Sequence, residues 1–537
     1  MALLSSADHS FSPPVVTVPR VYNAAHDLLE RNLRAGRGEK VAYIDDRSRC
    51  TYSELAARVG RCSGALTALG LQREHRALLC MHDSIDWPVA FLGCIQAGIV
   101  PIAVNTLLRT EDYDYMLRDS RAQALIVSSA VLPLFAPLIG KLATLEHVIV
   151  AGADSGGPLS FDRLVAEASP QFDPAATLAG DVCFWLYSSG STGAPKGTLH
   201  AHGSLIQTAE LYGKGVLGMR EDDVVFSAAK LFFAYGLGNA LTFPMSVGAT
   251  TILMAERPTP AAVFAQLQRR QPTLFCGVPT LYAALLAQPN LPAKAAVRLR
   301  ACVSAGEPLP RDIGERWRRH FEVDILDGIG STEMLHIFLS NRPGQVRYGT
   351  TGQPVPGYEL TIVDDKDCPV TAGEIGELKV SGPSRSLGYW NNPEKTRKAF
   401  QGPWTRSGDK YHVDADGYYV YAGRSDDMLK VSGMYVSPAE VESALISHDA
   451  VLEAAVVGKS DADGLVKPIA FVVLASGHTA NDALAEELKR HVKSRLAPHK
   501  YPRWVEFLPE LPKTATGKIQ RFKLRDTASR GTGSRQS

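Results

Sequence analysis

The sequence predicts an α/β protein of several subdomains, with a large N-terminal body of layered sheets and helices and a small, mobile C-terminal α+β domain. Its 537 residues are too many for one ordinary domain. In the first part of the chain, short apolar segments alternate with helical patterns, which is typical of parallel α/β layers. After about residue 345 the pattern changes to short strands and turns rich in glycine and aspartate, which favours an antiparallel unit.

The N-terminal part supplies the clearest parallel strands, at residues 76–80, 124–127 and 148–150. The uncharged run 87–108 is long enough to cross a bilayer. Its prolines, glycines, Gln96 and Asn105 argue against a membrane span. We expect a buried helix, a turn at Gly98 and then a strand.

The C-terminal part has its own signals. Residues 358–363 and 376–380 read as antiparallel strands. Ser437 followed by Pro438 and, three residues on, Glu440 predicts a helix start. Residues 482–497 form an amphipathic pattern with one apolar stripe, which predicts a helix.

These signals predict five segments. Residues 1–18 form a Ser/Pro-rich mobile N-terminus, 19–425 the N-terminal domain, 426 a hinge, 427–527 the mobile C-terminal domain, and 528–537 a small, polar, disordered tail. The start of the chain lacks the basic and apolar pattern of a signal peptide.

Composition limits the classes of partner. The chain is 45% hydrophobic and 21% charged with a net charge of +1, which gives no electrostatic reason to expect nucleic acid or an anionic membrane. The eight cysteines contain no C-x-x-C pair, so neither a zinc site nor a redox pair is indicated. Buried thiols in a reducing, cytoplasmic compartment are the expectation.

The strongest local motif is residues 187–197, Tyr-Ser-Ser-Gly-Ser-Thr-Gly-Ala-Pro-Lys-Gly, which follows an apolar strand. Its glycines let the backbone wrap closely around an anion, its amides and hydroxyls can donate to phosphate oxygens, and Lys196 adds positive charge. The spacing differs from that of a Walker loop. The motif predicts a phosphate-binding loop.

This segment resembles the phosphate-binding signature of the adenylate-forming superfamily, which includes acyl- and aryl-CoA ligases. Further motifs of that superfamily follow in order: residues 304–308, 330–333, 407–409, 423–427 and 512–518. Each is weak alone, but together they are specific, and the resemblance covers residues 20–525. It implies the adenylate-forming enzyme fold.

The resemblance implies roles for individual residues. Thr332 would touch the α-phosphate, Glu333 and Thr192 would hold Mg²⁺, and Lys196 and Lys518 would offset negative charge during catalysis. Asp409 would bind the ribose, Arg424 the ribose or phosphate, and Asp426 would be the pivot of a domain rotation. The implied nucleotide-binding residues are Ser188, Ser189, Gly190, Ser191, Thr192, Gly193, Lys196, Ala305, Gly306, Glu307, Asp327, Gly328, Ile329, Thr332, Asp409 and Arg424. The implied coenzyme A residues are Ser432, Gly433, Met434, Lys500 and Arg503.

By the same resemblance, the acyl pocket involves Phe233, Ala234, Tyr235, Gly330, Leu335, His336 and Ile337. These mostly apolar, aromatic and small residues suit a compact, uncharged acyl body such as an aromatic ring. Residues 232–239, 327–334 and 432–438 resemble the corresponding stretches of benzoate-CoA ligases, which makes benzoate or a close analogue the expected acid.

Two positions depart from the wider superfamily pattern. Ile329 stands where many members have an aromatic residue that stacks on adenine, so adenine would meet an aliphatic face. Phe233 stands where many carry histidine, so any gating role there would be steric.

The expected function is ATP-dependent activation of a small aromatic acid as acyl-AMP, followed by transfer to coenzyme A. ATP, Mg²⁺, coenzyme A and the acid would be the ligands, and a homodimer is left open. Three alternatives remain: a stand-alone adenylating enzyme that loads a carrier protein, a luciferase-like oxidation of the adenylate, and a nucleotide-binding regulator without catalysis. The presence of both Glu333 and Lys518 argues against the regulator.

Overall fold

A computed structural model describes residues 3–152, 159–188, 194–431, 434–461, 465–497, 499–513 and 519–530. Predicted site residues 189–193, Ser432, Gly433 and Lys518 therefore lie outside the described residues, as does the side chain of Met434.

The strands are numbered along the chain. They are β1 Ser6–Asp8, β2 Val15–Thr17, β3 Val41–Ile44, β4 Arg49–Thr51, β5 Arg76–Cys80, β6 Val100–Ala103, β7 Ala124–Ser128, β8 His147–Ala151, β9 Leu159–Ser160, β10 Val182–Ser188, β11 Lys196–Ala201, β12 Val224–Ser227, β13 Thr250–Ile252, β14 Leu274–Gly277, β15 Ala301–Ala305, β16 Ile325–Gly330, β17 Ile337–Ser340, β18 Gln353–Pro354, β19 Glu359–Val363, β20 Gly376–Ser381, β21 Gly388–Tyr389, β22 Phe400–Gln401, β23 Trp404–Val413, β24 Tyr419–Arg424, β25 Leu429–Val431, β26 Met434–Val436, β27 Val451–Ser460, β28 Val466–Leu474 and β29 Trp504–Phe507.

The α-helices are numbered in the same way. They are α1 Ala24–Arg34, α2 Tyr52–Ala68, α3 Asp86–Gln96, α4 Thr110–Ser120, α5 Leu132–Phe135, α6 Phe161–Glu167, α7 His202–Thr208, α8 Ala234–Leu237, α9 Phe243–Val247, α10 Pro260–Arg270, α11 Pro279–Leu286, α12 Arg311–Phe321, α13 Pro393–Ala399, α14 Pro438–Ile446, α15 Asp482–Arg495 and α16 Arg521–Arg530. Ala209–Lys214 and Gly238–Thr242 are π-helical, and Lys294–Ala296 and Thr332–Met334 are 3₁₀ turns.

Two large sheets form the N-terminal body. The first has the order β21-β11-β10-β6-β5-β7-β8-β9, and the second has the order β18-β17-β16-β15-β14-β12-β13-β3-β4. The central strands of both sheets are parallel, and antiparallel pairs occur at β10–β11, β11–β21, β16–β17, β17–β18 and β3–β4. The predicted parallel strands, and the helix, turn and strand predicted within residues 87–108, are confirmed as β5, β7, β8, α3, Gly98 and β6.

A continuous apolar core joins elements of these two sheets. Trp87 and Phe91 of α3 stack at 4.9 Å between ring centroids, and Phe91 meets Phe184 of β10 edge-on at 5.4 Å. The same buried cluster contains Val225 of β12 and Val303 of β15. Burial of this much apolar surface fixes the strands that carry the site, because interiors are close-packed and resist displacement.

The sheet that follows residue 345 is antiparallel, as the sequence predicts. Strands β19, β20, β23 and β22 form one sheet, and β24 pairs with β23. Beyond residue 426, β27 and β28 are antiparallel, and β29 adds to β28 in parallel. Ser437 caps α14 by accepting from the N–H of Glu440, as predicted.

The helix predicted at residues 482–497 is shorter at its end. It stops at Arg495, and Leu496 is already extended, with φ −124° and ψ 160°. Pro498 disfavours helical geometry at Ala497, so the helix cannot continue through residue 497, and it ends two residues earlier.

Both predicted terminal segments have described structure. Strands β1 and β2 form a hairpin, and the Ser5 hydroxyl donates to Asp27. Helix α16 continues to Arg530, past the predicted start of the tail, because Ala528 packs with Leu511 and Leu524. The mobility of these segments, the domain boundaries and the hinge remain predictions.

His202, the first residue of α7, links the strand that follows the phosphate motif to helix α1. It is 2% exposed, and its Nδ1 accepts from the N–H of Ala24 at 3.2 Å. Burial lowers the pKa of His202 to about 4. The native ring is therefore neutral at pH 7, whereas the unfolded chain binds a proton near pH 6.5.

We predict that His202→Asn makes the stability of the protein less sensitive to acid. Since the unfolded state takes up the proton first, His202 costs stability as the pH falls from 6.5 towards 4, by about 2 kcal/mol at pH 5. Asn keeps an acceptor near the Nδ1 position and does not titrate. Thermal unfolding midpoints of both proteins from pH 7.5 to 5 should converge as the pH falls, and parallel curves would contradict this assignment.

Candidate active site

The predicted phosphate loop closes a hairpin of the first sheet. Ser188 ends β10, Lys196 begins β11, and the two residues face each other in the antiparallel register. The predicted strand before the loop is thus confirmed, and both ends of the loop are fixed by sheet hydrogen bonds. The Thr198 hydroxyl donates to the Ser188 hydroxyl at 3.4 Å.

The predicted acidic loop follows β16 of the second sheet. The Ser331 hydroxyl accepts from the N–H of Met334 at 3.2 Å, which starts the 3₁₀ turn. Leu335 then adopts φ 66°, a conformation that turns the chain into β17. Gly330 has no room for a side chain, because a Cβ there would lie 2.5 Å from the carbonyl oxygen of His336.

The structure brings these two loops together. The Oε1 atom of Glu333 accepts from the Ser188 hydroxyl at 3.3 Å and from the Tyr389 hydroxyl at 2.8 Å. The ammonium of Lys196 lies 4.2 Å from the centroid of the Tyr389 ring. Burial lowers the pKa of Lys196, and the charge of Glu333 offsets part of that effect. A carboxylate and a cation thus meet at the mouth of the phosphate loop.

A second pair of predicted residues lies on the antiparallel sheet. Nη1 of Arg424 binds Oδ1 of Asp409 at 3.0 Å. The charge of Asp409 raises the pKa of Arg424, and Arg424 in turn contributes to lowering the pKa of Lys196. The two predicted nucleotide-binding groups are therefore adjacent, and Arg424 is within electrostatic range of the phosphate loop.

The adenine-side residues form the ends of neighbouring strands. Ala305 ends β15, Gly306 has φ 95°, and Gly328 and Ile329 lie in β16. The Asp327 side chain is buried, and burial raises its pKa well above the ordinary value. One of its oxygens accepts from the N–H of Leu309 at 3.5 Å, so Asp327 holds the residue that follows the loop at 306–308.

The acyl-side residues enclose an uncharged wall. Phe233 packs edge-on against Phe232, and the Tyr235 hydroxyl donates to the carbonyls of Gly277 and Val303, both at 3.1 Å. Leu335 and Ile337 are buried, and Ala234 begins α8. None of these side chains carries a charge.

His336 is a neutral member of this wall. It is 3% exposed, and burial lowers its pKa to about 3. Its Nε2 lies 3.2 Å from the carbonyl oxygen of Tyr235, which can only accept, so Nε2 carries the proton. A Cβ at Gly238 would lie 2.3 Å from the ring, so glycine at 238 makes room for the histidine.

The C-terminal residues are only partly placed at this site. Nζ of Lys500 binds both carboxylate oxygens of Glu440, at 2.8 and 2.7 Å, and the guanidinium of Arg503 lies 4.3 Å from the centroid of the Tyr501 ring. Their predicted role in binding coenzyme A stays a prediction. The N–H of Ile519, the residue after Lys518, donates to Oε1 of Glu307 at 3.3 Å.

The sequence analysis missed Tyr389, which contacts both Glu333 and Lys196. Its local signal is weak: a Gly-Tyr-Trp run shortly before Asn392, which caps α13. Its position beside β11 depends on the pairing of Thr198 with Tyr389, a contact between distant parts of the chain.

Two family models match parts of the chain that form this site. A family model described as AMP-binding enzyme matches residues 29–390, and a model of the AMP-binding enzyme C-terminal domain matches residues 440–518. The chain belongs to the AMP-binding enzyme family. The mixed α/β layers and separate C-terminal unit agree with the adenylate-forming fold that the sequence predicts.

Relatives of this AMP-binding enzyme match over nearly full length. A benzoate-CoA ligase of Thauera aromatica is 64% identical over 98% of this chain and 100% of its own length. A 4-hydroxybenzoate-CoA/benzoate-CoA ligase of Rhodopseudomonas palustris is 51% identical over 96% of each chain. The crystal structure of a benzoate CoA ligase from Burkholderia xenovorans LB400 is similar with a TM-score of 0.89 and 57% identity, covering 94% of this chain and 100% of that one.

The described residues are expected to carry part of a site for Mg²⁺ and small ligands. No helix there has both the length and the apolar character to cross a membrane. Nor does that part of the chain contain three or more His, Cys, Asp or Glu side chains grouped to hold a metal by themselves. Mg²⁺ commonly takes one or two carboxylates and completes its shell with substrate phosphates and water, and Glu333 at the phosphate loop fits that pattern.

We predict that Glu307→Ala slows acyl-adenylate formation about tenfold, because it removes a charged acceptor for the N–H of Ile519. Glu307→Gln keeps an acceptor and should lose less. The measurements are the rate of acid-dependent pyrophosphate exchange and the equilibrium affinity for AMP. Glu315→Ala, on the outer helix α12, is the control.

The affinity for AMP separates two roles of Glu307. If the residue docks the C-terminal loop, Glu307→Ala leaves AMP affinity unchanged while exchange slows. Weakened AMP binding in the same proportion would instead support the direct nucleotide contact that the sequence resemblance implies.

Proposed function

We propose that this AMP-binding enzyme is an acid-thiol ligase that converts benzoate, ATP and coenzyme A into benzoyl-CoA, AMP and pyrophosphate. The carrying observation is the 64% identity to a benzoate-CoA ligase over 98% of the chain. The site supports the same reaction, because Glu333 lies beside Ser188 and Lys196 of the phosphate loop, and the loop that carries Glu333 also carries His336 of the uncharged wall.

In the first half-reaction, a benzoate oxygen forms a bond to the α-phosphorus of ATP, and the bond to the pyrophosphate oxygen breaks. Two anions must approach, so catalysis depends on positioning and on offsetting their charge. Lys196 and Lys518 supply positive charge in this proposal, Thr332 contacts the α-phosphate, and Asp409 and Arg424 hold the ribose. Glu333, with Thr192, would hold Mg²⁺, which supplies further charge neutralisation when bound.

In the second half-reaction, the sulfur of coenzyme A bonds to the acyl carbon, the bond from that carbon to the AMP oxygen breaks, and the thiol proton is released. Lys196 and Arg424 remain near the departing phosphate. The proposal assigns residues 432–434 to the path of the thiol arm, and Lys500 and Arg503 to the coenzyme A phosphates. Lys500 must then leave Glu440 when those phosphates bind.

An aromatic acid suits the wall described above. His336 is neutral, the Tyr235 hydroxyl donates to the carbonyls of strand residues, and the Phe233 ring is apolar. None of these groups presents a charge to a second carboxylate or an ammonium. A small uncharged ring is therefore the acyl body that this surface accommodates with least loss of hydration.

We also infer a cytoplasmic location. All eight cysteines are free, and every one except Cys368 is buried. Free thiols persist in reducing compartments. We propose a homodimer, which a molecular mass in solution of twice that of the chain would support and a monomer mass would exclude.

The function is tested by AMP release with Mg-ATP, coenzyme A and a panel of acids: acetate, hexanoate, benzoate, 4-hydroxybenzoate, 2-aminobenzoate and 4-coumarate. Benzoate should give the highest kcat/KM. Higher turnover of hexanoate or 4-coumarate would overturn the acid assignment but keep the chemistry. Turnover with a phosphopantetheinylated carrier protein but not with coenzyme A would favour the carrier-loading alternative.

We predict that Asp426→Pro separates the two half-reactions. Proline fixes φ near −65° and removes the backbone donor, so rotation at this position would be blocked. Pyrophosphate exchange should persist while thioester formation falls at least tenfold, as measured in single-turnover experiments. Asp426→Ala, which removes the side chain but leaves the backbone free to rotate, should retain both reactions. Normal thioester formation in the proline variant would exclude a pivot at 426.

A further inference from the structure

The chain between β20 and α13 links the phosphate loop to the acidic loop. In this bridging segment, residues 386–390, the N–H of Ser386 donates to the carbonyl of Glu333 at 2.8 Å. The N–H groups of Leu387 and Trp390 donate to the carbonyls of Leu199 and Gly197 of β11, at 2.8 and 2.7 Å. One short segment thus ties the second sheet's acidic loop to the first sheet's phosphate-loop strand.

Tyr389 lies at the centre of this segment and is 7% exposed. Its hydroxyl donates to Oε1 of Glu333 at 2.8 Å, and the ammonium of Lys196 lies 4.2 Å from its ring centroid. Burial and the nearby charge of Glu333 raise the pKa of Tyr389, so the phenol stays protonated and donates. A single side chain therefore contacts both opposite charges, each through a different part of the phenol.

Glu333 and Lys196 do not form an ion pair with each other. Direct pairing would neutralise both groups and occupy the oxygens and N–H donors that substrate needs. Tyr389 gives each of them another partner, because the hydroxyl satisfies one carboxylate oxygen and the electron-rich ring face attracts the ammonium. In the described part of the chain, the other oxygen of Glu333 accepts no hydrogen bond.

The Tyr389 ring is itself held firmly. The backbone N–H of Tyr389 donates to the Thr396 hydroxyl at 3.0 Å, and the ring packs on Phe400 at 5.3 Å between centroids. The next residue, Trp390, packs on Trp185 at 4.7 Å and donates from its indole to the carbonyl of Asp119. Groups supported in this way are preorganised before substrate arrives.

We propose that Tyr389 is a positioning residue that keeps Glu333 and Lys196 apart and correctly oriented for Mg-ATP. The inference rests on the proposed function, which places Mg²⁺ at Glu333 and the phosphates at Lys196. It adds a residue outside the superfamily motifs from which the site was predicted. Loss of the phenol hydroxyl frees the carboxylate to turn towards Lys196, and the enzyme then loses the part of its ATP affinity that depends on Mg²⁺.

The decisive variant is Tyr389→Phe, which keeps the ring beneath Lys196 and removes only the hydroxyl. Equilibrium binding of ATP is measured by calorimetry with Mg²⁺ and again with EDTA, together with the rate of pyrophosphate exchange. We expect the gain in ATP affinity from Mg²⁺ to fall about tenfold, as for other groups that orient a metal ligand, while affinity in EDTA stays unchanged. Tyr389→Leu, which also removes the ring, should weaken ATP binding under both conditions.

Tyr348→Phe is the matched control. The Tyr348 side chain is also buried and its hydroxyl also donates to a carboxylate, Asp324 at 2.9 Å, but the ring belongs to the separate apolar cluster around Trp317. This variant should bind ATP as the wild type does. An unchanged Mg²⁺ effect in Tyr389→Phe, or an equal loss in Tyr348→Phe, would overturn the proposal.

Failure of the proposed function is a separate outcome. If the wild type bound Mg-ATP but exchanged pyrophosphate with no acid of the panel, the ligase assignment would fail. The binding experiment on Tyr389→Phe would still decide whether the tyrosine positions the two charges.

Discussion

Glu333 and Lys196 carry opposite charges, come from different sheets and meet at one tyrosine ring. Their separation is the constraint on which the rest of the site depends, because neither group can serve a triphosphate while bound to the other. The register of β10 and β11 fixes Lys196 opposite Ser188. The turn after β16 fixes Glu333, and the bridging segment joins the two loops. The large core between the sheets prevents relative displacement of these strands.

Charge is distributed unevenly across the molecule's site. The phosphate side has four charged side chains, those of Lys196, Arg424, Asp409 and Glu333. The acyl side has His336, which burial keeps neutral, and Tyr235, whose hydroxyl donates a hydrogen bond to a backbone carbonyl. Asp327, on the adenine side, has a pKa well above its usual range because it is buried. The uncharged wall thus lies next to a strongly polar loop, which is the arrangement needed to bind an apolar acid through its carboxylate end.

Much of this could be predicted from the sequence, because the relevant signals are local. Alternation of apolar segments gave β5, β7 and β8, and capping chemistry gave the start of α14. The contiguous motifs located the two loops that meet at Glu333. Tyr389 could not be found this way, since its role depends on strand pairing between residues 198 and 389. The contact of Ile519 with Glu307 was missed for the same reason, as it joins residues 212 positions apart.

The close fit between Gly238 and His336 has a consequence for how such a pocket can diverge. A side chain at 238 would collide with the imidazole and would lie 2.9 Å from the Phe243 ring, so that substitution needs a smaller residue at 336 first and a shift of the Phe243 ring. The reverse order passes through an overpacked protein. Two positions almost a hundred residues apart must therefore change in a fixed sequence during evolution. A pocket of different shape can therefore evolve if residue 336 becomes smaller before residue 238 becomes larger, but not if residue 238 changes first.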